Sequence, residues 1–257
     1  MFLEQNNIVE IKTVQSNAIR ILFEALKDIL TDVNLQFSND GIKIISMDGS
    51  KQAVINLKLD ACKFEKFHCK NPFHAGLNMT SLYKIIKSVK NSDIITMYIT
   101  EENTTKLNIK IENKEKKTHI LTVLKLLDID EDILDIPNIA FDTVKTMPSN
   151  DFQSYIRELS IITTKIKLES SNNTFCLSGE GDFAETKIVI GDSNNVEIEN
   201  KHNSSGTFYI KYLLLFTKST NLCTTVEIYL KNKFPLILVY NVANLGKLQY
   251  CLAPLID

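Results

Sequence analysis

Asp128, Asp130 and Asp132 alternate in the run DIDED, the spacing with which a calcium loop offers its first ligands. The sixth place of such a loop, where the chain turns on glycine, is Ile133, and the twelfth, which needs a bidentate glutamate, is Ile139, so the motif fails. His68, Cys69 and His74 could offer nitrogen and sulfur to zinc. Cys62 stands seven residues before Cys69, however, and no second pair completes a four-ligand set. Neither G-x-x-x-x-G-K-[ST] nor G-x-G-x-x-G occurs, which removes both phosphate-cradling loops. His119 and His202 have polar neighbours and no nucleophile pattern, and read as surface residues. The expectation is therefore no catalytic residue, no metal and no cofactor. What remains with chemistry to do is a set of cations, Arg20, Lys27, Lys84, Lys87, Arg157, Lys211 and Lys218, whose chemistry is attraction of phosphate.

The elements that must position them are four helices in a duplicated frame. Ser16 to Leu26 and Ser149 to Leu159, 133 positions apart, both open with Ser-Asn and then run apolar at helical spacing. Each is followed by a strand pattern around Leu35 or Leu168, a polar turn and a second strand, Ile42-Lys43-Ile44 or Phe175-Cys176-Leu177. Each half then reaches a helix ending in Lys-Ser, at Lys87-Ser88 and Lys218-Ser219, and a strand, Ile94 to Ile99 or Thr225 to Leu230.

In the first helix Ile19, Leu22, Phe23, Leu26, Ile29 and Leu30 form a core stripe, with Arg20, Glu24 and Lys27 on the opposite face. The second points Leu82, Ile85, Ile86 and Val89 inward and Lys84 and Lys87 outward. In the third, Phe152, Tyr155, Ile156 and Leu159 are the stripe and Ser154 and Arg157 face away. The fourth, Ile210 to Thr220, is apolar almost throughout and carries Lys211 and Lys218 seven apart, hence on one face.

Over windows 16–30, 80–90, 149–161 and 210–220, Arg20, Lys27, Lys84, Lys87, Lys90, Arg157, Lys211 and Lys218 stand against Glu24, Asp28, Asp151 and Glu158. That is a net of +4 in a chain whose total is −2, so the remainder carries −6. Such segregation presents one positive surface to phosphate while the outside stays acidic. The alternative is four ordinary solvated faces with Arg20–Glu24 as a local pair; repetition across a duplicated frame favours the phosphate surface.

The 257 residues, 44% hydrophobic and 23% charged, suffice for two domains with ordinary cores. The five cysteines, Cys62, Cys69, Cys176, Cys223 and Cys251, are odd in number with no close pairing. The opening MFLEQNNIVE has neither a basic leader nor a long apolar run. The expectation is a soluble intracellular protein with reduced thiols, and no run of eighteen apolar residues suggests a membrane helix.

Seven stretches in order resemble one family, the proliferating cell nuclear antigen family of sliding DNA clamps. They are FEALKDIL (Phe23 to Leu30), GIKIISMDGSK (Gly41 to Lys51), LNMTSLYKIIK (Leu77 to Lys87) with NSDIITM (Asn91 to Met97), LKLLDID to LDIPN (Leu124 to Asn138), TMPSNDF (Thr146 to Phe152), YLLLFTKST (Tyr212 to Thr220) and LGKLQYCLAPLI (Leu245 to Ile256). The resemblance runs from about Phe2 to Ile256.

It implies an α+β fold of two duplicated sheet-and-helix clamp domains, residues 1–125 and 142–257, joined by a connector at 126–141. Three chains would form a pseudo-sixfold homotrimeric ring with helices lining the hole. It further implies a processivity factor, not an enzyme, that encircles double-stranded DNA. That factor would serve a DNA polymerase, a clamp loader and replication and DNA repair proteins, in the nucleus or at a viral replication site, with no membrane partner. Arg20, Lys27, Lys84, Lys87, Arg157, Lys211 and Lys218 match the family's inner surface. Ile21 and Ser154 stand where it often has further cations, which predicts a slightly looser grip.

Partner enzymes would dock through a Gln-x-x-aliphatic-x-x-aromatic-aromatic peptide. Met47, Leu126, Leu134, Ile136, Pro137, Phe141, Pro235, Ala253 and Pro254 match its apolar contacts, and the backbone of Leu252, Ala253 and Pro254 the contact to its Gln. Gln52 and Cys251 depart from the usual aliphatic residue and Tyr, so peptide preference is expected to differ. Lys117 to Lys125 and Gly181 to Val189 match the subunit-joining strands, with Ile120, Leu121 and Phe183 as apolar anchors and Lys117 or Lys187 pairing across the seam. In a monomer, Lys116, Lys117 and Lys187 would instead be edge gatekeepers. The loop that carries a modified lysine in many members reads Glu169-Ser170-Ser171-Asn172-Asn173 and holds none. Open alternatives are a heterotrimeric checkpoint-type clamp subunit, a viral processivity factor that forms no ring, and a metal-dependent nuclease or deaminase-like enzyme. The last would need clustered carboxylates at strand ends, and none is evident.

Overall fold

The structure, a computed structural model, describes residues 6–130, 140–171, 174–191, 196–200 and 203–255. The chain divides into two compact units. The first holds Met1–Gly49, Asn56–Ile133 and Val242–Lys247; the second holds Ser50–Ile55, Leu134–Asn241 and Leu248–Asp257.

The first half of the chain runs β1 (Asn7–Thr13), α1 (Ser16–Leu26), β2 (Asp32–Ser38), β3 (Gly41–Met47), β4 (Ala53–Asp60), a 3₁₀ turn, β5 (Lys66–Cys69), β6 (Phe73–Asn78), α2 (Met79–Ile86), β7 (Asp93–Thr100), β8 (Asn103–Asn113) and β9 (Thr118–Lys125). One sheet has the order β5-β1-β7-β8-β9, all neighbours antiparallel. A second run of strands has the order β4-β3-β2-β6. Period-two alternation explains the strands: Val9, Ile11 and Thr13 of β1 turn inward, and Val33, Leu35 and Phe37 of β2 do the same. Between β2 and β3 the chain turns on Gly41, at φ 140°, where an added Cβ would lie 1.9 Å from the Leu59 carbonyl oxygen. Only glycine fits there.

The second half repeats the plan: β10 (Thr143–Pro148), α3 (Ser149–Ile162), β11 (Lys165–Ser171), β12 (Thr174–Glu180), β13 (Glu185–Gly191), β14 (Glu197–Asn200), β15 (Ser204–Tyr209), α4 (Ile210–Phe216), a 3₁₀ segment (Thr217–Leu222), β16 (Thr225–Leu230), β17 (Leu236–Val242) and β18 (Gly246–Leu252). Its pairing order repeats as well. The run β14-β10-β16-β17-β18 answers β5-β1-β7-β8-β9, and β13-β12-β11-β15 answers β4-β3-β2-β6.

The duplication read from the sequence thus extends to the hydrogen-bond ladder, and it leaves one difference. β18 neighbours β4, while their repeat counterparts β9 and β13 each end a sheet. No helix among the described residues is long and apolar enough to cross a membrane.

The helices are held by the stripes that periodicity assigned them. Ile19, Leu22, Phe23 and Leu26 of α1, Leu82 and Ile86 of α2, and Phe152, Ile156 and Leu159 of α3 are buried, whereas Ile85 and Tyr155 are only half-buried; Ile29, Leu30 and Val89, expected within the first two helices, are buried too but lie past the ends of α1 at Leu26 and α2 at Ile86. Asn78 caps α2, its side chain accepting from the Ser81 amide at 2.9 Å.

The fourth helix is shorter than expected. Its α-turns end at Phe216, and Lys218 lies in the 3₁₀ segment. The Gln153 amide takes the Thr217 carbonyl at 2.6 Å and the Thr217 hydroxyl bonds the Leu214 carbonyl at 3.1 Å, drawing acceptors away from an α ladder.

Candidate functional site

In the first unit α1 and α2 lie side by side, and their solvent faces carry a polar network. Arg20 is bound twice, from Nη1 to Glu24 Oε2 at 3.0 Å and from Nη2 to Asn17 Oδ1 at 2.8 Å. Burial pushes the Tyr83 hydroxyl up, and its hydrogen bond to Glu24 adds to the rise. Lys27 pairs with Asp28 at 2.7 Å, its Nζ 5.3 Å from the centre of the Tyr83 ring. Lys84 and Lys87 differ: both are exposed, and among the described residues neither takes part in an ion pair. Four cations that looked equivalent in sequence therefore split into two held and two open.

In the second unit the cations have aromatic company. Lys211 Nζ lies 4.9 Å from the Tyr212 ring centre and 5.6 Å from that of Tyr209. These rings orient an ammonium without cancelling its charge. Arg157 and Lys218 are exposed. The 3₁₀ segment that carries Lys218 is fixed from inside, where Ser219 bonds the Tyr250 hydroxyl at 2.7 Å and Tyr250 stacks on Phe216. Burial raises the Tyr250 hydroxyl well above its ordinary range. This pattern of cations can hold a polyanion by charge.

The metal candidates do not assemble. Cys69 Sγ bonds the Asn71 carbonyl at 3.0 Å, His68 and His74 are exposed, and no metal-holding group of His, Cys, Asp and Glu occurs among the described residues. Asp128 and Asp130 are exposed, while Asp132, Ile133, Ile139 and His202 lie outside the described residues; His119 is on the surface.

The two strands expected to join subunits are the two sheet ends noted above. On β9, Ile120 and Leu121 are 58% and 52% exposed, with Val123 beside them. On the other side Val189 of β13 is exposed, and Phe183 is 74% exposed. Two positions shift from the expectation. Phe183 sits in the bend before β13, whose first residue is Glu185, and Lys117 is a turn residue at φ 52° ahead of β9. Lys187 is on β13 and exposed. Val123 and Val189 lie within the expected strands but were not named among their apolar anchors, although strand alternation would have found them.

Of the peptide-docking residues, Leu134, Ile136 and Pro137 lie outside the described residues. In the first unit Met47 is exposed and Leu126 half-buried; in the second Phe141, Pro235, Ala253 and Pro254 are half-buried. The Leu252 side chain is buried at 1% exposure, so it can offer only backbone, and the Ala253 amide already donates to the Gln52 carbonyl at 2.9 Å.

The start of the connector is anchored within the first unit. Leu126 and Leu127 amides donate to Thr105 and Gly76 carbonyls, and Asn34 Nδ2 donates to the Ile129 carbonyl at 3.1 Å. Gly76 allows this approach, since a Cβ there would lie 2.2 Å from the Leu127 oxygen. A glycine inside an apolar strand was the available signal. The segment that matches the family's modified-lysine loop, and holds no lysine, is partly strand, Glu169 to Ser171 belonging to β11, with Asn172 and Asn173 outside the described residues.

Comparison with known proteins gives the same outline. Residues 8–134 match the family model described as proliferating cell nuclear antigen, N-terminal domain, and residues 135–255 match its C-terminal domain. The chain is 34% identical over 260 residues to "Probable DNA polymerase sliding clamp 1" of Paramecium bursaria Chlorella virus 1, covering 99% of each protein. It is 31% identical over 254 residues to "Proliferating cell nuclear antigen" of Chaetomium thermophilum, covering 96% of this chain and 98% of that one.

Proposed function

The chain belongs to the proliferating cell nuclear antigen family, and from that premise we propose that it is a DNA sliding clamp, a processivity factor with no chemistry of its own. It tethers DNA polymerase to duplex DNA and assembles with copies of itself, in the nucleus or at a viral replication site.

The observation that carries the assembly is the broken repeat. β18 neighbours β4, yet the equivalent strands β9 and β13 end their sheets with apolar side chains exposed. An unpaired edge seeks a partner. β9 of one copy meeting β13 of the next would complete the same junction between chains, and a head-to-tail contact of this kind closes into a ring when its rotation permits. Three copies, each contributing two repeats, give the pseudo-sixfold ring.

Arg20, Lys27, Lys84, Lys87, Arg157, Lys211 and Lys218 then face the duplex. Phosphates occur about every 1.7 Å of its axis, so a cationic lining holds at any register and reads no base. Polymerase and other replication and repair proteins dock through a Gln-x-x-aliphatic-x-x-aromatic-aromatic peptide, contacted by Met47, Leu126, Leu134, Ile136, Pro137, Phe141 and Pro235 and by backbone of Leu252, Ala253 and Pro254. A clamp loader opens the ring.

Native mass in solution tests the assembly. Three chains of 29.2 kDa give about 88 kDa. A 29.2 kDa species at micromolar concentration would refute the ring.

A further inference from the structure

Resting on the reading of the helices as the DNA-facing surface, we infer that Glu24 and Asp28 are grip-limiting residues. They hold Arg20 and Lys27 in ion pairs and leave the phosphate contacts of the first unit to Lys84 and Lys87. The geometry carries this.

Arg20 has one guanidinium nitrogen on Glu24 and another on Asn17, so the guanidinium is held at two points. Lys27 is confined between Asp28 and the face of Tyr83. Side-chain exposure agrees: Arg20 and Lys27 keep 25% and 22%, whereas Lys84 and Lys87 are open to solvent.

A cation already neutralised releases no counterion when a phosphate approaches, so it adds little to affinity or to salt dependence. To reach phosphate, Arg20 would have to give up two hydrogen bonds. The second unit has a different device, because Lys211 is oriented by Tyr209 and Tyr212, which carry no opposing charge. The lining is thus uneven: the first repeat hides half of its charge, whereas Lys211 of the second keeps its charge beside two rings. A clamp that must move along DNA benefits from fewer simultaneous phosphate contacts.

The test is a fluorescence anisotropy titration of a short linear duplex from 50 to 200 mM salt. Glu24→Gln with Asp28→Asn keeps the hydrogen-bonding shape and removes both charges. Each released cation steepens the log–log salt slope by about 0.9, so the double variant should lose about tenfold more affinity than wild type across that range. Glu158→Gln removes an exposed charge on α3 that is in no ion pair among the described residues. It should leave the slope unchanged. A double variant with the wild-type slope, or a Glu158→Gln slope that rises equally, overturns the masking. Lys84→Ala with Lys87→Ala separates this from failure of the clamp reading. If that variant flattens the slope while the carboxylate variant does nothing, the DNA surface stands and the masking falls; if neither changes it, both fall.

Discussion

Phe183→Ala should open the ring without unfolding the chain. Phe183 is 74% exposed in the single chain, at the entry to sheet-edge strand β13. A phenylalanine presents about 200 Å², so covering the exposed part in a seam removes about 150 Å² from water, worth about 3.7 kcal/mol at ~25 cal/mol per Å². Truncation to alanine keeps a methyl group and forfeits about 3 kcal/mol, which is about two decades in the association constant of one seam. A chain leaving a closed ring breaks two seams, so the effect on dissociation should exceed that of one. Folding should move by no more than about 0.5 kcal/mol, because the side chain is in water before assembly. Sedimentation velocity over a dilution series, beside urea unfolding of each variant, reads both quantities. An unchanged dissociation midpoint for Phe183→Ala would refute the seam assignment.

Three other outcomes are expected. Gly41→Ala places a Cβ against the Leu59 carbonyl at a positive φ and should cost about 2–4 kcal/mol in denaturant unfolding. Burial pushes the Glu10 carboxyl up, but hydrogen bonds from Lys66 and Asn7 outweigh it and hold it below the ordinary glutamate value. Its contribution is therefore present above the unfolded-state value and lost as pH falls through the lower folded-state value, so Tm should fall less steeply with acid in Lys66→Ala than in wild type. Leu134→Ala with Ile136→Ala should weaken a Gln-x-x-aliphatic-x-x-aromatic-aromatic peptide about tenfold in calorimetry, since removing about 60 Å² of apolar contact is worth about 1.5 kcal/mol, with the salt dependence of DNA binding unchanged.

Helices and strands were legible because their burial follows simple periods. The stripe from Ile19 to Leu26 and the alternation in β2 need no tertiary information. The duplication was legible because both halves bury the same pattern. Where α4 stops was not, since an all-apolar run has no phase, and the stop is made by Gln153, distant in sequence. The cations were correctly placed on exposed or half-exposed surface, but their states were hidden. Arg20–Glu24 follows from a four-residue spacing, whereas the Tyr83 ring reaches Lys27 from another helix. Sheet order was also beyond periodicity. That β9 and β13 are ends, while β18 and β4 are neighbours, depends on strands far apart in the chain.

Encirclement of DNA is tested most directly by topology. A ring threads over the open ends of a linear duplex, and if streptavidin then blocks both ends it stays linked when salt is raised, because linkage does not depend on counterion release. The account predicts retention at high salt on end-blocked DNA and rapid loss from open-ended DNA of the same length and sequence. Equal loss from both would show a protein that only adheres to phosphate, and would contradict the sliding clamp.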